Sequence, residues 1–205
     1  VPRSEPDFQV VFSDKPTEKL TEMFFDLQEQ GIDFTQTDCQ IITPMNISWV
    51  GVEKLNAMIH GLVFDRSQPW IELPRHNKRD WKTGKVEVIT PIRVQIGSKV
   101  IYTANTYDLN DENRSSVFNG EVGKVVAFDS SDGTIDIDFG DRILTIPPVI
   151  VSVRDDGRAT ETDPRKNIAL AYAVTTHKMQ GSECRVVCYV LNKSTQRMQN
   201  RANFY

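Results

Sequence analysis

The apolar residues of this chain obey two different rules. Between about residues 93 and 153 they alternate with polar ones in short runs, "RVQIGSKVIYTANTY", "GEVGKVVAFD", "GTIDIDFG" and "RILTIPPVIVSV". On either side of that region they come at helical spacing or in unbroken stretches. A period of two needs half-buried strands, whereas helical spacing beside a continuous apolar run needs helices packed on a buried strand. A chain carrying both predicts an α/β layer interrupted by an all-β unit.

The flanks supply the elements of that layer. In "SDKPTEKLTEMFFDLQEQG", Ser13 or Asp14 can cap a helix, Pro16 suits its first turn, Leu20, Phe24 and Leu27 share a face, and Gly31 ends it. "CQIITPMN" reads as a buried strand, and "GVEKLNAMIHGLVF" places Val52, Leu55, Ile59 and Leu62 on one helical face. Past the polar break "RDDGRATETDPRKN", "IALAYAVT" reads as a single strand. It sets Ile168, Leu170, Tyr172 and Val174 against a face of alanines and Thr175, over which a helix packs closely; "RVVCYVL" reads as another strand. The expected organisation is a first α/β piece over 1–65, a connecting excursion over 66–92, a small closed β-barrel over 93–155 and a second α/β piece over 156–205, with both pieces sharing one sheet. The turns "SSDG" and "FGD" suit the barrel's hairpins. The excursion has no sustained period; its cluster of Arg75, His76, Lys78, Arg79 and Lys82 beside Trp81 is either a solvated loop or a nucleic-acid contact.

Composition narrows the functional classes. A chain of 205 residues with a net charge of −4 lacks the overall basic balance of a free-standing nucleic-acid module, though local phosphate contacts stay open. No apolar run approaches the ~20 residues of a membrane span, and no signal peptide is visible, so a cytoplasmic protein without a membrane partner is expected. Cys39, Cys184 and Cys188 do not have metal-ligand spacing, and reduced thiols are the expectation.

The stretch "AVTTHKMQGSEC" carries the densest chemistry. At the carboxyl end of a buried strand, where ligands of open α/β sheets collect, Thr175, Thr176 and His177 offer small donors and a following helical turn would offer amides to an anion. Gly181 permits a positive φ or a close approach, and Glu183 is an acceptor suited to a sugar hydroxyl. The alternative is a capped turn with a solvated Lys-Gln-Glu face, and these residues by themselves leave both readings open.

"T-x-H-K-x-Q-G-x-E" followed by "RVVCYVL" resembles motif V and the next strand of superfamily 1 helicases, in the RecD-like and Dda-like branch. "CQIITPMN…GV…LN" resembles the opening of that branch's second RecA-like motor domain, and "GSKVIYTANTYD…VFNGEVGKVVAFD…DGTIDIDF" its inserted SH3-like barrel. "NRANFY" looks like the approach to motif VI, and the likeness runs over about 40–205.

The resemblance implies an incomplete, discontinuous RecA-like parallel-sheet domain interrupted by a small SH3-like β-barrel. It implies single-stranded DNA contacts at Thr175, Thr176 and His177, with Lys178 either adding one or lying solvated. Gln180 and Gly181 would form the turn that couples DNA to the nucleotide cleft, and Glu183 would approach the ribose. In the barrel, Asn105, Tyr107, Phe118, Asn119, Gly120 and Gly123 match family positions, the glycines for turns and the aromatics for packing. Asn46 stands where relatives carry a more basic residue, so no nucleotide contact is assigned to it.

ATP and Mg²⁺ are implied as cofactors, held mainly by a first RecA-like domain that would be this region's partner. No G-x-x-x-x-G-K-[ST] loop occurs in the 205 residues, and "NGEVGKV" has the wrong spacing. The expectation is therefore part of an ATP-dependent 5′→3′ DNA helicase that hydrolyses no ATP alone. The alternatives are a non-catalytic KOW- or SH3-like binding module for nucleic acid or protein, and a vestigial helicase-like scaffold.

Overall fold

The computed structural model describes residues 9–107, 109, 115–153 and 157–192. The segment "NRANFY", with its likeness to the approach to motif VI, lies outside the described residues.

In chain order the elements begin with α1 (Pro16–Glu29), β1 (Cys39–Thr43) and α2 (Val52–Val63), followed by the short strands β2 (Ile71–Leu73), β3 (Lys78–Arg79), β4 (Val86–Glu87) and β5 (Ile92–Val94). Next come β6 (Lys99–Tyr102), β7 (Val122–Phe128), β8 (Ile135–Asp138), β9 (Ile143–Ile146), β10 (Ile150–Val153) and β11 (Ala159–Thr162). A 3-10 turn at Pro164–Asn167 leads to β12 (Ile168–Leu170), β13 (Ala173–Thr175), α3 (Thr176–Met179) and β14 (Val186–Tyr189).

The parallel sheet has the order β13-β1-β14, so the N-terminal strand sits between two strands from the far end of the chain. The five residues of β1 are buried on both faces. Cys39 and Ile41 meet Leu20 and Phe24 of α1 and Leu55 and Ile59 of α2, the apolar stripes that helical spacing predicts. Leu62 is the exception and stays exposed; Val63 packs in its place. On the other face, Val174 packs with Ala171 and with Ile101 of the antiparallel sheet.

That antiparallel sheet runs β12-β6-β7-β8-β9, and β9 and β12 do not pair with each other. The expected closed barrel is therefore corrected to an open sheet. Its apolar face is covered instead by the ribbon β2–β5, whose Ile71, Leu73 and Val94 enter the core with Val100, Tyr102, Ile135 and Ile146. A ribbon laid over the core keeps its apolar face from water without edge-to-edge closure. Gly123 of β7 has no room for a side chain against β8: a Cβ there would stand 2.6 Å from the Asp138 carbonyl oxygen.

Two further expectations change. "IALAYAVT" is two strands, not one. β12 pairs antiparallel with β6, the chain crosses at Ala171–Tyr172, and β13 pairs parallel with β1. The alternation breaks at the crossing, so Tyr172 and Ala173 both enter the core under the helices. The excursion is also ordered. From Leu73↔Ile92 to Lys78↔Glu87 the pairing advances five residues on each side. It continues to Asp80, whose N–H donates to the Lys85 carbonyl at 2.9 Å. One register throughout makes it a single antiparallel arm, interrupted where Pro74 cannot donate to the ladder.

Candidate functional site

β1 and β13 end level, Thr43 opposite Thr175, and this edge holds the first residues of the predicted site. Thr175 is buried at the strand end, Thr176 and Lys178 are half-buried and His177 is exposed. The Thr176 and Tyr189 hydroxyls share a hydrogen bond of 2.9 Å, linking the two outer strands across the end of β1. α3 is the helical turn expected after the strand, four residues long and too short for a helix dipole of any weight. What stays at this edge are side chains and local amides.

From there the chain must return to the amino edge, because β14 runs parallel to β13 and β1. Gln180 and Glu183 lie along this crossover and are exposed, and Gly181 turns it at φ 85°. The far end is pinned beside the start of β1: Arg185 donates from its backbone N–H to the Asp38 carbonyl at 2.7 Å and from Nε to Asp38 Oδ2 at 2.7 Å. The guanidinium holds the Asp38 carboxyl below its usual range. The seven predicted residues therefore do not form one pocket. Thr175, Thr176 and His177 stand at the carboxyl edge, while Glu183 approaches the opposite edge, about 3.3 Å farther per strand residue traversed.

Between crossover and antiparallel sheet lies an open cleft of about 460 Å³. Lys178, Gln180 and Glu183 line one wall; Asn119, Glu121 and Arg142 line the other. Arg142 is engaged, donating from Nη2 to Glu121 Oε2 at 2.6 Å and from Nη1 to Asp141 Oδ2 at 2.8 Å. Lys178 is different. Desolvation lowers its pKa, and among the described residues no acceptor meets its ammonium. A half-buried cation without a partner is costly, and an arriving anion relieves the cost.

Several residues here have no signal in the sequence. Tyr189 falls in an ordinary strand pattern, and its bond to Thr176 depends on strand order. Ile47 and Trp49, in the β1–α2 loop that follows Thr43, are exposed at the carboxyl edge. That loop is tight: a Cβ on Gly51 would meet the Asn46 carbonyl oxygen at 2.5 Å, and Thr43 Oγ1 donates to the Val50 carbonyl at 3.0 Å. A Trp in a short loop is the one clue the sequence offers to it. In the antiparallel sheet, Tyr107 and Phe118 do not pack inward as expected. They are exposed and meet edge-on, with centroids 6.0 Å apart. Asn105 Oδ1 accepts from the Asn119 N–H at 2.9 Å, bracing this loop pair.

The three cysteines are free, and burial pushes the Cys188 thiol up to about 11. No group of three or more metal-ligating side chains occurs among the described residues, and none of their helices is long and apolar enough to cross a membrane.

No family model matches the chain. Among solved structures it is similar to the Pif1 helicase from Bacteroides in complex with ADP-AlF3 and ssDNA, at 17% identity and a TM-score of 0.45 over 90% of this chain and 45% of that one. It is similar to unliganded Pif1 from Bacteroides sp at 16% identity and a TM-score of 0.44 over 87% of this chain and 42% of that one. The Pif1 helicase from Candida albicans gives 13% identity and a TM-score of 0.44 over 88% of this chain and 49% of that one. The chain thus spans less than half the length of each of these three. At such values the likeness speaks for neither ligand nor activity.

Proposed function

We propose that this chain is part of an ATP-driven single-stranded-DNA motor of the superfamily 1 type, in its RecD-like and Dda-like branch. The β13-β1-β14 sheet belongs to the second RecA-like domain and the antiparallel body is its SH3-like insertion. The observation that carries the reading is the crossover "TTHKMQGSE". It joins small donors at one sheet edge to a carboxylate near the other, and between them sets a half-buried lysine that no described residue neutralises.

In this reading His177 and the Thr175–Thr176 segment hold DNA phosphate, and Tyr189 orients the Thr176 hydroxyl. Lys178 attracts the strand's charge toward the cleft. Gln180 and the positive-φ Gly181 form the turn that shifts when DNA is gripped. Glu183 accepts from a nucleotide's sugar hydroxyl. Arg185, clamped to Asp38, fixes that end of the crossover to the sheet, so displacement at one end is transmitted to the other.

For a nucleotide the chain offers a hydroxyl acceptor and a polar wall. A phosphate cradle and a set of Mg²⁺ ligands are not among its described residues, so its own side chains are assigned binding roles and no hydrolytic step. A first RecA-like domain would supply both, and the chain alone turns over no ATP. Polarity, 5′→3′, follows the branch.

The test is binding of a fluorescent oligothymidylate by this chain, followed by anisotropy across a salt series. Thr175→Val with His177→Ala should weaken binding, and Lys178→Ala should flatten the salt slope by about 0.7, since the slope follows the cations that neutralise phosphate. Glu183→Gln should leave DNA binding unchanged while reducing binding of a fluorescent nucleotide. Unchanged DNA affinity in the double variant overturns the assignment, and DNA-stimulated ATP turnover by this chain overturns the prediction that it is inactive alone.

A further inference from the structure

The arm β2–β5 with β3–β4 is built to display its tip. Its base is anchored: Ile71, Leu73 and Val94 are in the core, and Arg93 bonds Glu72 at 3.1 Å while stacking on Trp70 at 4.5 Å. Farther out, His76 Nε2 meets Asn167 Oδ1 at 2.9 Å, and Lys78 reaches Glu53 of α2 at 3.4 Å. The two faces of the arm therefore differ. Lys78 and Glu87, opposite each other in register, lie on the face whose lysine turns to α2. Arg79 and Val86 share the face turned away, and both are exposed.

The tip is folded rather than slack. Asp80 Oδ1 accepts from the N–H groups of Lys82 at 2.8 Å and Thr83 at 3.0 Å, and the Gly84 N–H donates to the Asp80 carbonyl at 2.8 Å. Gly84 supplies the positive φ of 71° that closes the turn. This turn presents Trp81 with 84% of its surface in water and Lys82 5.0 Å from its ring centre. An ordered turn that holds an indole out among cations keeps apolar surface in water without return unless something stacks on it.

Charge selects the occupant. From Arg75 to Val88 the arm carries five Lys and Arg residues against two carboxylates, in a chain of net charge −4. Of those carboxylates, Asp80 is occupied by backbone amides and Glu87 lies opposite Lys78. Arg75, Arg79, Lys82 and Lys85 have no carboxylate partner among the described residues. Cations spaced along a ribbon with an exposed aromatic at its end match a single strand, whose phosphates pair with the cations and whose unpaired base stacks on the ring.

We propose that the 75–88 arm is a second single-stranded nucleic-acid contact, with a base on the Trp81 indole and phosphates on Arg79, Lys82 and Lys85. It stands on residues apart from the crossover and does not depend on that assignment.

The test uses the whole chain and the same oligothymidylate. Trp81→Ala should weaken binding about tenfold with an unchanged salt slope, because stacking is not ionic, and Trp81→Phe should keep most of the affinity. Arg79→Ala with Lys82→Ala and Lys85→Ala should lower the slope by about 2. Since Trp81 is almost wholly exposed, its variants should melt with the wild type. Affinities within twofold of wild type for all these variants overturn the proposal, as does equal weakening by Ala and Phe. If the arm variants are silent while Thr175→Val with His177→Ala weakens binding, this inference fails and the crossover reading stands. The reverse pattern fails the crossover reading and leaves the arm. A protein ligand on the arm would show as silence in every DNA assay, which also overturns it.

Discussion

The two sheets are held by different chemistry. Most of the antiparallel sheet is built from neighbours in sequence: β7, β8 and β9 follow one another through short turns, β12 joins β6 from farther along the chain, and the core of Val125, Ile135, Ile137, Leu144 and Ile146 is aliphatic. The parallel sheet joins segments more than a hundred residues apart, and buried polar side chains hold its backbone. Asn56 Nδ2 donates to the Ala173 carbonyl at 2.8 Å, and Asn56 Oδ1 accepts from the Ala173 N–H at 2.9 Å. On the outer side of β13, at the sheet's edge, that amide takes the place of a missing strand. Gln40 Nε2 reaches the Ala171 and Tyr172 carbonyls, each at 3.0 Å, where the chain passes between sheets. Hairpins get their register from their turns, whereas a parallel sheet of distant pieces has no turn to set it and uses side-chain amides instead.

The strongest way to break this contrast is Asn56→Leu. The leucine fits the helix but strands one buried N–H and one buried C=O of β13, each costing about 1–3 kcal/mol. The expected destabilisation is about 4 kcal/mol by urea unfolding. It should exceed the cost of any single-methylene deletion in the antiparallel core. A value below about 1 kcal/mol would mean that burial alone holds β13 in place.

The same contrast explains what is legible in the sequence. The helices α1 and α2 and the strand β1 carry their own period or apolar run, so local pattern suffices. The division of "IALAYAVT" into β12 and β13 does not show, because alternation runs on through alanines and no turn residue marks the crossing. The arm looks like a loop because its paired pieces are two or three residues long, and a register shared between 73 and 92 is not a local property. Strand count suggests a closed barrel, yet it says nothing of whether the end strands meet. At the candidate site the residue types are legible, from Thr175 to Glu183. That Thr176 is engaged by Tyr189, or that Lys178 meets no counter-charge among the described residues, depends on packing and is visible only in the fold.

A second test falls on the seam between the sheets. Lys99 of β6 is fully buried, its Nζ donating to the Cys39 carbonyl at 2.7 Å, and desolvation lowers its pKa to about 8. The unfolded chain binds this proton up to the ordinary 10.5, whereas the folded chain releases it near 8. Between those values the unfolded state holds more protons, so this group adds stability as pH rises through the window. The raised thiols of Cys39, Cys184 and Cys188 act in the opposite sense, since folding keeps their protons at higher pH. Comparison with Lys99→Met isolates the lysine. Wild type should gain up to roughly 3 kcal/mol on the variant between pH 8 and 10.5, read as a difference in melting curves. A flat difference would place the ammonium in contact with water and remove the seam from the contrast.

The smallest effect asks whether the two sheets unfold as one body. Ile135 of β8 is buried, with Phe128 and Ile146 beside it in register, so Ile135→Val removes one methylene from the aliphatic core and should cost about 1 kcal/mol. Its cost should not vary with pH, because no titratable group lies in that core cluster apart from Tyr102. The sheets are joined by the cluster of Ile101, Ala171 and Val174 and by the Lys99 bond, which is enough to predict one cooperative transition. Combined with Asn56→Leu, the two costs should then add within about 0.5 kcal/mol, since the sites share no partner. If the antiparallel sheet instead melts separately, Ile135→Val will shift one of two transitions and leave the other, sensitive to Asn56, where it was. Local turns would then suffice to hold the antiparallel sheet without the amide clamps of its neighbour.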